Sequence, residues 1–441
     1  MNVADSQRAA SALEHLGYES TSHAELADVI VLNTCVVRQS AEDKAYSHLG
    51  EMRRLKSKNP KLVINLMGCL VGVKNNALLR KRFPFVDVFS APSDIAPLIT
   101  YLTQEETRAV EDSQLNKRYS LMDEELILPL YQRGNLVSAF VPIVLGCSHA
   151  CTFCIIPYRR GVERSRPVRD ILAEARALVN QGVKEITLLG QIVDRYGKDL
   201  GDGMSLAGLL YQLQEIDELQ RIRFLTSHPS YLSDELLDAV AELPKVMPHI
   251  EVPIQAGDDE ILTAMRRGYT AEEYRRLIEK IRQKLNRKLP GVSIATDIIV
   301  GFPGESEQQF QRTYDLLEDL RLDVAHLARY SPRPGTVSAR NMDDDVPEKE
   351  KMGRFRQLED LQKQITSEIN AQYLGKTVEI LFEEKARGRW MGRTPTNKIV
   401  FAESDQELIG KILPVTITWS GPWSMQGRIT SEVTMFTMPL R

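Results

Sequence analysis

The middle of the chain, from about residue 136 to 375, repeats a pattern in which a short apolar run precedes an amphipathic segment. The runs have the length and content of buried strands, and the segments between them, such as 168–181, 233–242 and 271–285, have helical spacing. The predicted strands are 140–145, 185–189, 221–226, 249–254, 293–300 and 323–329. Such an order implies parallel strands joined by right-handed crossovers. Six strands are fewer than the eight of a closed barrel, so the pattern predicts an incomplete α/β barrel with a lateral opening.

Three cysteines lie in one loop at the end of the first of these strands. Cys147, Cys151 and Cys154 are separated by three and then two residues. Thiolates are the ligands that iron-sulfur clusters require, and this spacing can hold three corners of a [4Fe-4S] cube while one iron stays open. A zinc knuckle is the alternative, but structural zinc takes four ligands, and His149 lies inside the bracket at no familiar spacing.

Composition excludes several classes of protein. The chain is 43% hydrophobic and 26% charged, as in an ordinary soluble protein, and its longest apolar runs are too short and too interrupted to span a membrane. No export signal is visible at the N-terminus, so the cytoplasm is expected. An odd number of cysteines, five, favours metal ligation over disulfides. The net charge of −4 leaves a nucleic-acid partner open.

Residues 1–105 have the pattern of a small α/β domain, with predicted strands at 27–34, 61–68 and 86–90. Cys35 and Cys69 each follow a strand directly. Because ligands collect at the carboxyl edge of a parallel sheet, we expect these two thiols to converge, although buried structural cysteines are the alternative. Residues 106–135 are predicted to be a connector between domains.

The cysteine loop, with Phe153 before its last cysteine, resembles the radical S-adenosylmethionine enzymes. The continuation at residues 155–167 is similar to the methylthiotransferases, and within them to the tRNA-modifying branch. The resemblance implies a partial (β/α)6 barrel in which Cys147, Cys151 and Cys154 hold a [4Fe-4S] cluster whose open iron binds S-adenosylmethionine.

Residues 32–38 and 67–69 resemble two cysteine motifs of the methylthiotransferase N-terminal domain, which holds an auxiliary [4Fe-4S] cluster through three cysteines. Cys35 and Cys69 match two of them. The third has no counterpart in this sequence, which opens on a helix where the family has a strand. We therefore expect either a natural start further upstream or a substitute ligand.

The active face of such a barrel is the carboxyl end of its strands, and several candidate residues share that position. Glycine at 190 and 301 is expected to let a cofactor approach the backbone. Taken singly, each candidate could be an ordinary turn residue. The candidates for binding the cofactor are Phe153, Gly190, Gln191, Gln255 and Asp297.

Residues 376–441 contain short strand-like runs at 378–382, 399–402, 412–419 and 434–438, which predict a small β-barrel, and a long helix is predicted before it at 347–374. Basic residues surround Trp390 in the sequence, a combination that favours RNA binding. The alternative is a basic hairpin that contacts only solvent. Residues 392–401 resemble the TRAM domain, an RNA-binding barrel, and imply that Arg393, Asn397 and Lys398 contact RNA.

The function implied by the resemblance is transfer of a 2-methylthio group to N6-isopentenyladenosine beside the tRNA anticodon. The target C2–H is too weak an acid for ordinary general bases, so radical chemistry suits it. Alternatives are methylthiolation of threonylcarbamoyladenosine or of a ribosomal-protein aspartate, or an RNA-binding protein without thiolation activity. The expected partners are the tRNA anticodon loop and an electron donor such as flavodoxin or ferredoxin, and the expected state is a monomer.

Overall fold

A computed structural model describes residues 1–74, 77–103, 128–286 and 291–430. The N-terminal unit is a three-stranded parallel sheet in the order β1-β2-β3 with helices around it. Its strands are β1 (Val29–Thr34), β2 (Val63–Gly68) and β3 (Val88–Ser90), and its helices are α1 (Asn2–His15), α2 (Gln39–Lys58), α3 (Ala77–Arg82) and α4 (Ala96–Thr103). Thr34 pairs with Gly68, so the two strands that precede Cys35 and Cys69 end side by side.

The central unit is the partial barrel predicted from the sequence. Its strands are β4 (Ser138–Pro142), the short antiparallel pair β5 (Val144–Leu145) and β6 (Arg164–Ser165), β7 (Glu185–Leu189), β8 (Arg221–Phe224), β9 (His249–Glu251), β10 (Ser293–Val300) and β11 (Val324–Arg329). Parallel pairing gives the orders β4-β7-β8 and β9-β10-β11, and a single bridge between Ile222 and Val246 joins the two halves. The described barrel therefore has six parallel strands.

Helices cover the outside of this barrel. They are α5 (Ile156–Arg160), α6 (Val168–Asn180), α7 (Leu206–Gln214), α8 (Asp234–Glu242), α9 (Asp259–Ala264), α10 (Ala271–Leu285), α11 (Glu307–Leu320), α12 (Val337–Asn341) and α13 (Glu348–Ala371). The sequence explains their start points, since Thr270 with Glu273 forms a capping box at α10. Among the described helices, none is both long and apolar enough to cross a membrane.

Three predicted strands are shorter in the structure than in the sequence prediction. β4 ends at Pro142 and β9 ends just before the segment that contains Pro253, because proline donates no ladder hydrogen bond. β8 ends at Phe224, and Thr226 beyond it has a left-handed backbone with φ 69°. In each case the chain leaves the sheet earlier and lengthens the loop at the carboxyl edge.

The C-terminal unit is a closed five-stranded barrel, as predicted, in the order β12-β13-β14-β16-β15. Its strands are β12 (Thr377–Ala386), β13 (Arg389–Arg393), β14 (Ile399–Ala402), β15 (Ile412–Ser420) and β16 (Met425–Ile429). The sequence prediction missed β13 and β16. Glycine and arginine in these segments interrupt the alternation of apolar and polar residues that indicates a strand. The predicted strand at 434–438 and most of the 106–135 connector lie outside the described residues.

The C-terminal barrel packs on the end of the partial barrel where the strands begin. Arg221 donates from Nη1 to the carbonyl oxygen of Arg393 over 2.7 Å, and Arg223 donates from Nη2 to that of Thr394 over 2.9 Å. Arg223 also pairs through Nε with Glu185 over 2.9 Å, with both side chains 2% exposed. The joint between the two barrels is therefore made of buried charges and backbone acceptors.

Candidate functional site

The cysteine loop, residues 146–154, begins with a glycine that no other residue could replace without distortion. Gly146 has φ 71°, and a Cβ at this position would lie 2.1 Å from the carbonyl oxygen of Val162. Close backbone contact continues at Cys147, whose N–H donates to the carbonyl oxygen of Gly161 over 3.1 Å. The start of the loop is therefore fixed against the chain that follows α5.

Thr152 anchors the other side of the loop. It is 1% exposed, and its N–H and Oγ1 donate to the carbonyl oxygens of Met265 (3.1 Å) and Ala264 (2.9 Å). Its own carbonyl oxygen accepts from Ser338 N–H over 2.9 Å. The loop is thus held between the α9 turn and α12.

The thiols of the loop lie in a poorly solvated setting. Burial raises the pKa of Cys147 to about 11 and that of Cys154 to about 12. Thiolates must form when metal binds, so the positive charge of bound iron would have to displace these protons. Such buried thiols suit a cluster that is shielded from water.

Arg267 lies beside Cys151, the remaining thiol of the loop. It donates from Nη1 to Sγ of Cys151 over 3.1 Å, from Nε to the hydroxyl of Tyr269 over 2.9 Å, and from Nη2 to the carbonyl oxygen of Pro253 over 3.2 Å. The side chain is buried. Sequence reasoning missed this residue because 116 positions separate it from Cys151.

A group of polar atoms without partners lies at the carboxyl edge near the loop. Within the described ranges, no hydrogen-bond partner exists for Nε2 of His149, Nε2 of His228, Oδ1 of Asp194 or Oγ of Ser227, all buried. The rings of His149 and His228 lie 4.5 Å apart. Buried polar atoms normally have partners, so these atoms fit a site that receives a polar ligand such as S-adenosylmethionine.

Burial also perturbs the titration of these groups. Burial and the nearby Arg267 lower the pKa of His228 to about 2, so its imidazole is neutral at neutral pH. Burial raises the pKa of Asp194 to about 7, although its Oδ2 accepts the His228 backbone N–H over 2.9 Å. Perturbed carboxyls in a cleft are typical of functional sites, and Asp194 was not among the residues predicted from the sequence.

The predicted cofactor residues are spread along this edge. Phe153 packs edge-on to Phe302, with ring centroids 6.5 Å apart. Gln191 donates from Nε2 to the sulfur of Met1 over 3.2 Å. Gln255 has φ 81°, a strained conformation for a residue with a side chain, and its N–H donates to the carbonyl oxygen of Asp297 over 2.9 Å. Their roles in cofactor binding stay predictions.

A pair of carboxyls, Glu251 and Asp297, also lies in the partial barrel. Burial raises the pKa of Asp297, and burial together with the charge of Asp297 raises that of Glu251 to about 7. The two residues are on neighbouring strands, since Glu251 pairs with Ala295. Sequence reasoning singled out Asp297 but not Glu251, because a glutamate within a strand gives no sign of its partner.

Side chains of this chain lie close to Gly190 and Gly301, where the sequence predicts close approach of a cofactor. A Cβ at Gly190 would lie 3.1 Å from Cβ of Val144, and one at Gly301 would lie 2.3 Å from Cγ of Lys351. The space is therefore filled by side chains of this chain. Thr226 Oγ1 also donates to the carbonyl oxygen of Gly190 over 2.9 Å. Internal packing alone therefore requires glycine at both positions, and approach of a cofactor to their backbone stays a prediction.

Cys35 and Cys69 converge as expected. Cys69 N–H donates to the carbonyl oxygen of Thr34 over 3.0 Å, directly beside Cys35. Cys69 is 1% exposed and Cys35 is half-buried. Burial raises the pKa of the Cys69 thiol, while the charge of Arg160 opposes the rise.

Helix α5 brings the two cysteine sets together. It begins two residues after Cys154, and its Arg160 donates to Oδ1 of Asn2 over 2.7 Å and hydrogen-bonds Cys69. Ile155 and Tyr158 pack in the core of the N-terminal unit. The loop of one domain is thus docked on the cysteine edge of the other.

A cavity of about 270 Å³ lies at this junction. Its lining combines the N-terminal unit, the cysteine loop and α12. The residues are Lys74, Ser148, His149, Ala150, Cys151, Cys154, Pro157, Tyr158 and Val337. Two of the three loop thiols therefore adjoin a cavity that the N-terminal unit also lines.

No three His, Cys, Asp or Glu side chains within the described parts of the chain are placed to share one metal ion. A [4Fe-4S] cube binds each thiolate through a different iron, so its ligands lie further apart than those of a single ion. Three thiols on one anchored loop and the neighbouring polar atoms without partners fit the cluster and S-adenosylmethionine. The auxiliary site offers two thiols.

The predicted RNA-binding residues lie at the joint between the two barrels. Lys398 pairs with Asp323, with Nζ and Oδ1 2.7 Å apart, and Arg393 pairs with Glu383. Arg393 also donates to Oδ1 of Asn397 over 2.9 Å. RNA binding by the three side chains stays a prediction, and the structure shows their internal contacts.

Family models match three segments of this chain. Residues 141–317 match the radical SAM superfamily, residues 1–90 match a family described as Uncharacterized protein family UPF0004, and residues 371–430 match the TRAM domain.

Curated relatives match almost the whole chain. A tRNA-2-methylthio-N(6)-dimethylallyladenosine synthase from Roseiflexus sp. (strain RS-1) is 47% identical over 97% of this chain and 87% of the relative. The synthases of the same name from Herpetosiphon aurantiacus and Dictyoglomus thermophilum are each 44% identical over 98% of this chain, and the matches cover 95% and 97% of those proteins.

Among solved structures, the fold is similar to that of the radical S-adenosylmethionine methyltransferase TsrM from Kitasatospora setae. The TM-score is 0.52 at 15% identity, over 86% of this chain and 71% of that one. At this identity the likeness concerns the fold alone.

Proposed function

The chain belongs to the family of tRNA-2-methylthio-N(6)-dimethylallyladenosine synthases, and from this membership we propose how its residues carry out the reaction. The reaction replaces a C2–H of the isopentenylated adenine by a C2–S–CH3 group. The observation that carries the proposal is the docking of the cysteine loop, through α5 and Arg160, on the edge that holds Cys35 and Cys69.

We assign the ligands of the radical-generating [4Fe-4S] cluster to Cys147, Cys151 and Cys154. When bound, the cluster and S-adenosylmethionine supply the one-electron chemistry that an unactivated C–H bond requires. The protein's part is to position these groups and exclude water. Gly146 and Thr152 hold the loop, and Arg267 supplies a charge-assisted hydrogen bond to Cys151.

The polar ends of S-adenosylmethionine are proposed to bind along the carboxyl edge of the barrel. The buried atoms without partners on His149, His228 and Asp194 supply hydrogen-bonding capacity there. Since the His228 imidazole is neutral, it can accept or donate without bringing a second positive charge to the sulfonium. Gln191 and Gln255 are the further candidates from the sequence.

Sulfur transfer is assigned to the N-terminal unit, where Cys35 and Cys69 would bind an auxiliary cluster together with a further ligand. Arg160 of α5, the helix that follows the cysteine loop, hydrogen-bonds Cys69 at this edge. A substrate base that enters the cavity of about 270 Å³ would lie against Cys151 and Cys154 of the loop, with Lys74 of the N-terminal unit also in the lining. The tRNA is proposed to present this base from its single-stranded anticodon loop.

The substrate can be tested by mass analysis of total tRNA nucleosides from a strain that lacks the gene. We expect 2-methylthio-N6-isopentenyladenosine to disappear and N6-isopentenyladenosine to accumulate. A strain that carries the chain with Cys147, Cys151 and Cys154 all changed to alanine should behave like the deletion. Loss of a threonylcarbamoyl derivative instead, or no change in any nucleoside, would refute the proposal.

The two cluster sites can be separated by measuring iron and acid-labile sulfide on anaerobically reconstituted protein. With the three loop cysteines changed to alanine, about four iron atoms should remain at the auxiliary site. In the matched control, Cys35→Ala with Cys69→Ala, about four should remain in the loop. If the first variant retains no iron, Cys35 and Cys69 do not support a cluster in this chain, and sulfur transfer by it is refuted.

A further inference from the structure

A second cavity, of about 190 Å³, lies at the joint between the two barrels. It is bounded by α13, by the first residues of β9 and β10, and by the C-terminal barrel. It is therefore at the opposite end of the partial barrel from the cysteine loop. Its polar lining includes Gln362, Thr366, Asn370, Arg393, Asn397 and Lys398. Three of these are the residues for which the sequence predicts RNA binding.

Two amide oxygens in this lining have no hydrogen-bond partner in the described part of the chain, namely Oε1 of Gln362 and Oδ1 of Asn370. Both side chains are 3% exposed. Their amino groups are held, since Gln362 donates to the carbonyl oxygen of Leu322 (3.0 Å) and Asn370 to that of Gly421 (2.8 Å). These bonds fix the orientation of both amides, so the two oxygens are preorganised acceptors for N–H donors.

The charges of the lining are already compensated. Lys398 pairs with Asp323 over 2.7 Å, and Arg393 pairs with Glu383 over 3.2 Å. Burial and neighbouring cations lower the pKa of His249 to about 3, so this side chain is neutral. Because no net charge of either sign remains to attract a phosphate or a carboxylate, the lining favours an uncharged ligand with N–H groups.

An exposed indole lies at the mouth of the cavity. Trp423, which is 63% exposed, is on the turn between β15 and β16. The turn is closed by a hydrogen bond from Gly421 N–H to the carbonyl oxygen of Ser424 over 3.0 Å, and Asn370 holds it against α13. A solvent-facing ring on a hydrogen-bonded turn, beside fixed acceptors, is the arrangement that proteins use to stack an unpaired base.

We propose that this cavity receives one unpaired, N–H-bearing nucleobase of the bound tRNA, stacked on Trp423 and hydrogen-bonded to Gln362 and Asn370. The proposal rests on the proposed function for the presence of tRNA. A volume below the roughly 300 Å³ of typical ligand pockets suits a single base rather than a whole nucleotide. The base differs from the modified adenine, because the eight-residue strand β10 alone separates the two ends by about 26 Å.

Binding of fluorescently labelled tRNA that carries N6-isopentenyladenosine tests this site, using the full chain and a fixed salt concentration. Trp423→Ala should weaken binding about tenfold, the scale on which removal of a stacking ring acts. Gln362→Met should weaken it less. The matched control is Trp419→Ala, which removes a second exposed indole, from β15 beside this turn and outside the cavity lining, and should leave the affinity unchanged.

The salt dependence distinguishes stacking from phosphate contact. Stacking releases no counterions, so Trp423→Ala should lower the affinity without changing the slope of affinity against salt concentration. The chain has three tryptophans, of which Trp390 is buried. In a Trp419→Phe protein, Trp423 is therefore the main source of tryptophan fluorescence from an exposed ring. We expect tRNA to quench that emission.

The outcomes separate this proposal from the proposed function. If wild-type protein and Trp423→Ala bind tRNA equally well, the base-binding site is refuted. The cavity would then contact a protein partner or only water. The proposed function would stand. If wild-type protein does not bind the tRNA, both fall. A thermal melt that matches wild type shows that the Trp423→Ala chain is folded.

Discussion

Nη1 of Arg267 donates a hydrogen bond to Sγ of Cys151 over 3.1 Å, and the other donors of this guanidinium are fixed by Tyr269 and by the backbone at Pro253. A positive donor next to a cluster thiolate favours the reduced, more negative state of the cluster. With the proposed cluster bound to Cys151, this hydrogen bond would link a residue outside the cysteine loop to the ease with which the cluster accepts an electron.

The Arg267→Met variant should have a more negative reduction potential for the loop cluster. Hydrogen bonds to charged groups contribute about 1.5–3 kcal/mol, and a tenfold change in a one-electron equilibrium is about 59 mV, so the part of the bond that is gained on reduction shifts the potential by at most roughly 60–130 mV. A redox titration followed by electron paramagnetic resonance measures it. Arg266→Met, at the exposed neighbouring position, is the control, and equal potentials for both variants would contradict the prediction.

Removal of Arg223 should destabilise the joint between the barrels. Arg223→Met leaves the Glu185 carboxylate buried without its partner, which costs about 3–5 kcal/mol. Urea unfolding measures the loss, and adding Glu185→Gln should restore part of it. Arg276→Met breaks the exposed pair with Glu272 and should cost less than about 1 kcal/mol. Similar losses in the two single variants would be inconsistent with a buried joint.

Gly301→Ala should destabilise the fold more than Gly304→Ala does. Both glycines have positive φ, so each alanine carries a backbone cost of about 1–2 kcal/mol. At Gly301 the new Cβ would also lie 2.3 Å from Cγ of Lys351, whereas nothing lies within 4 Å at Gly304. Overpacking adds about 1–3 kcal/mol to the loss of stability of Gly301→Ala. The difference between the urea unfolding midpoints of the two variants measures this addition. Equal midpoints would mean that Lys351 moves aside freely.

Asp194 makes the protein less stable as pH rises. The pKa of Asp194 is about 7 in the folded chain, against an ordinary value of 3.8. Below about pH 4 the carboxyl is protonated in both the folded and the unfolded chain, so it does not lower the free energy of unfolding. Between about pH 4 and 7 the unfolded state ionises first, and stability falls until the folded carboxyl ionises. Asp194→Asn should therefore gain about 2–4 kcal/mol over wild type above pH 7 and nothing near pH 4.

Urea unfolding at about pH 4.5, 6 and 8 follows this gain. The control is Asp199→Asn, because Asp199 also accepts one backbone N–H, from Ser165 over 2.9 Å, but is exposed. A pH-independent difference between Asp194→Asn and wild type would show that the carboxyl is not strained by burial.

Much of the architecture was predictable because its signals are local. The alternation of strand and helix patterns predicted six parallel strands, and the spacing of Cys147, Cys151 and Cys154 placed three thiols on one loop. The convergence of Cys35 and Cys69 followed from a general property of parallel sheets, that their carboxyl ends share an edge.

The remaining features depend on contacts between residues that are distant in sequence. Nothing near Arg267 indicates that it contacts Cys151, and nothing near Gly301 indicates that Lys351 fills its space. The sequence predicts that Arg393 and Lys398 form a free cationic surface. Their acidic partners, Glu383 and Asp323, come near them only in the folded chain.

The arginines of β8 contact the C-terminal barrel through its carbonyl oxygens, a group that every type of residue carries. Substitutions at positions 393–395 can therefore alter the side chains of this hairpin without removing the acceptors that attach it. The placement of the C-terminal barrel is therefore separated from the chemistry of its exposed side chains, so either can change without the other.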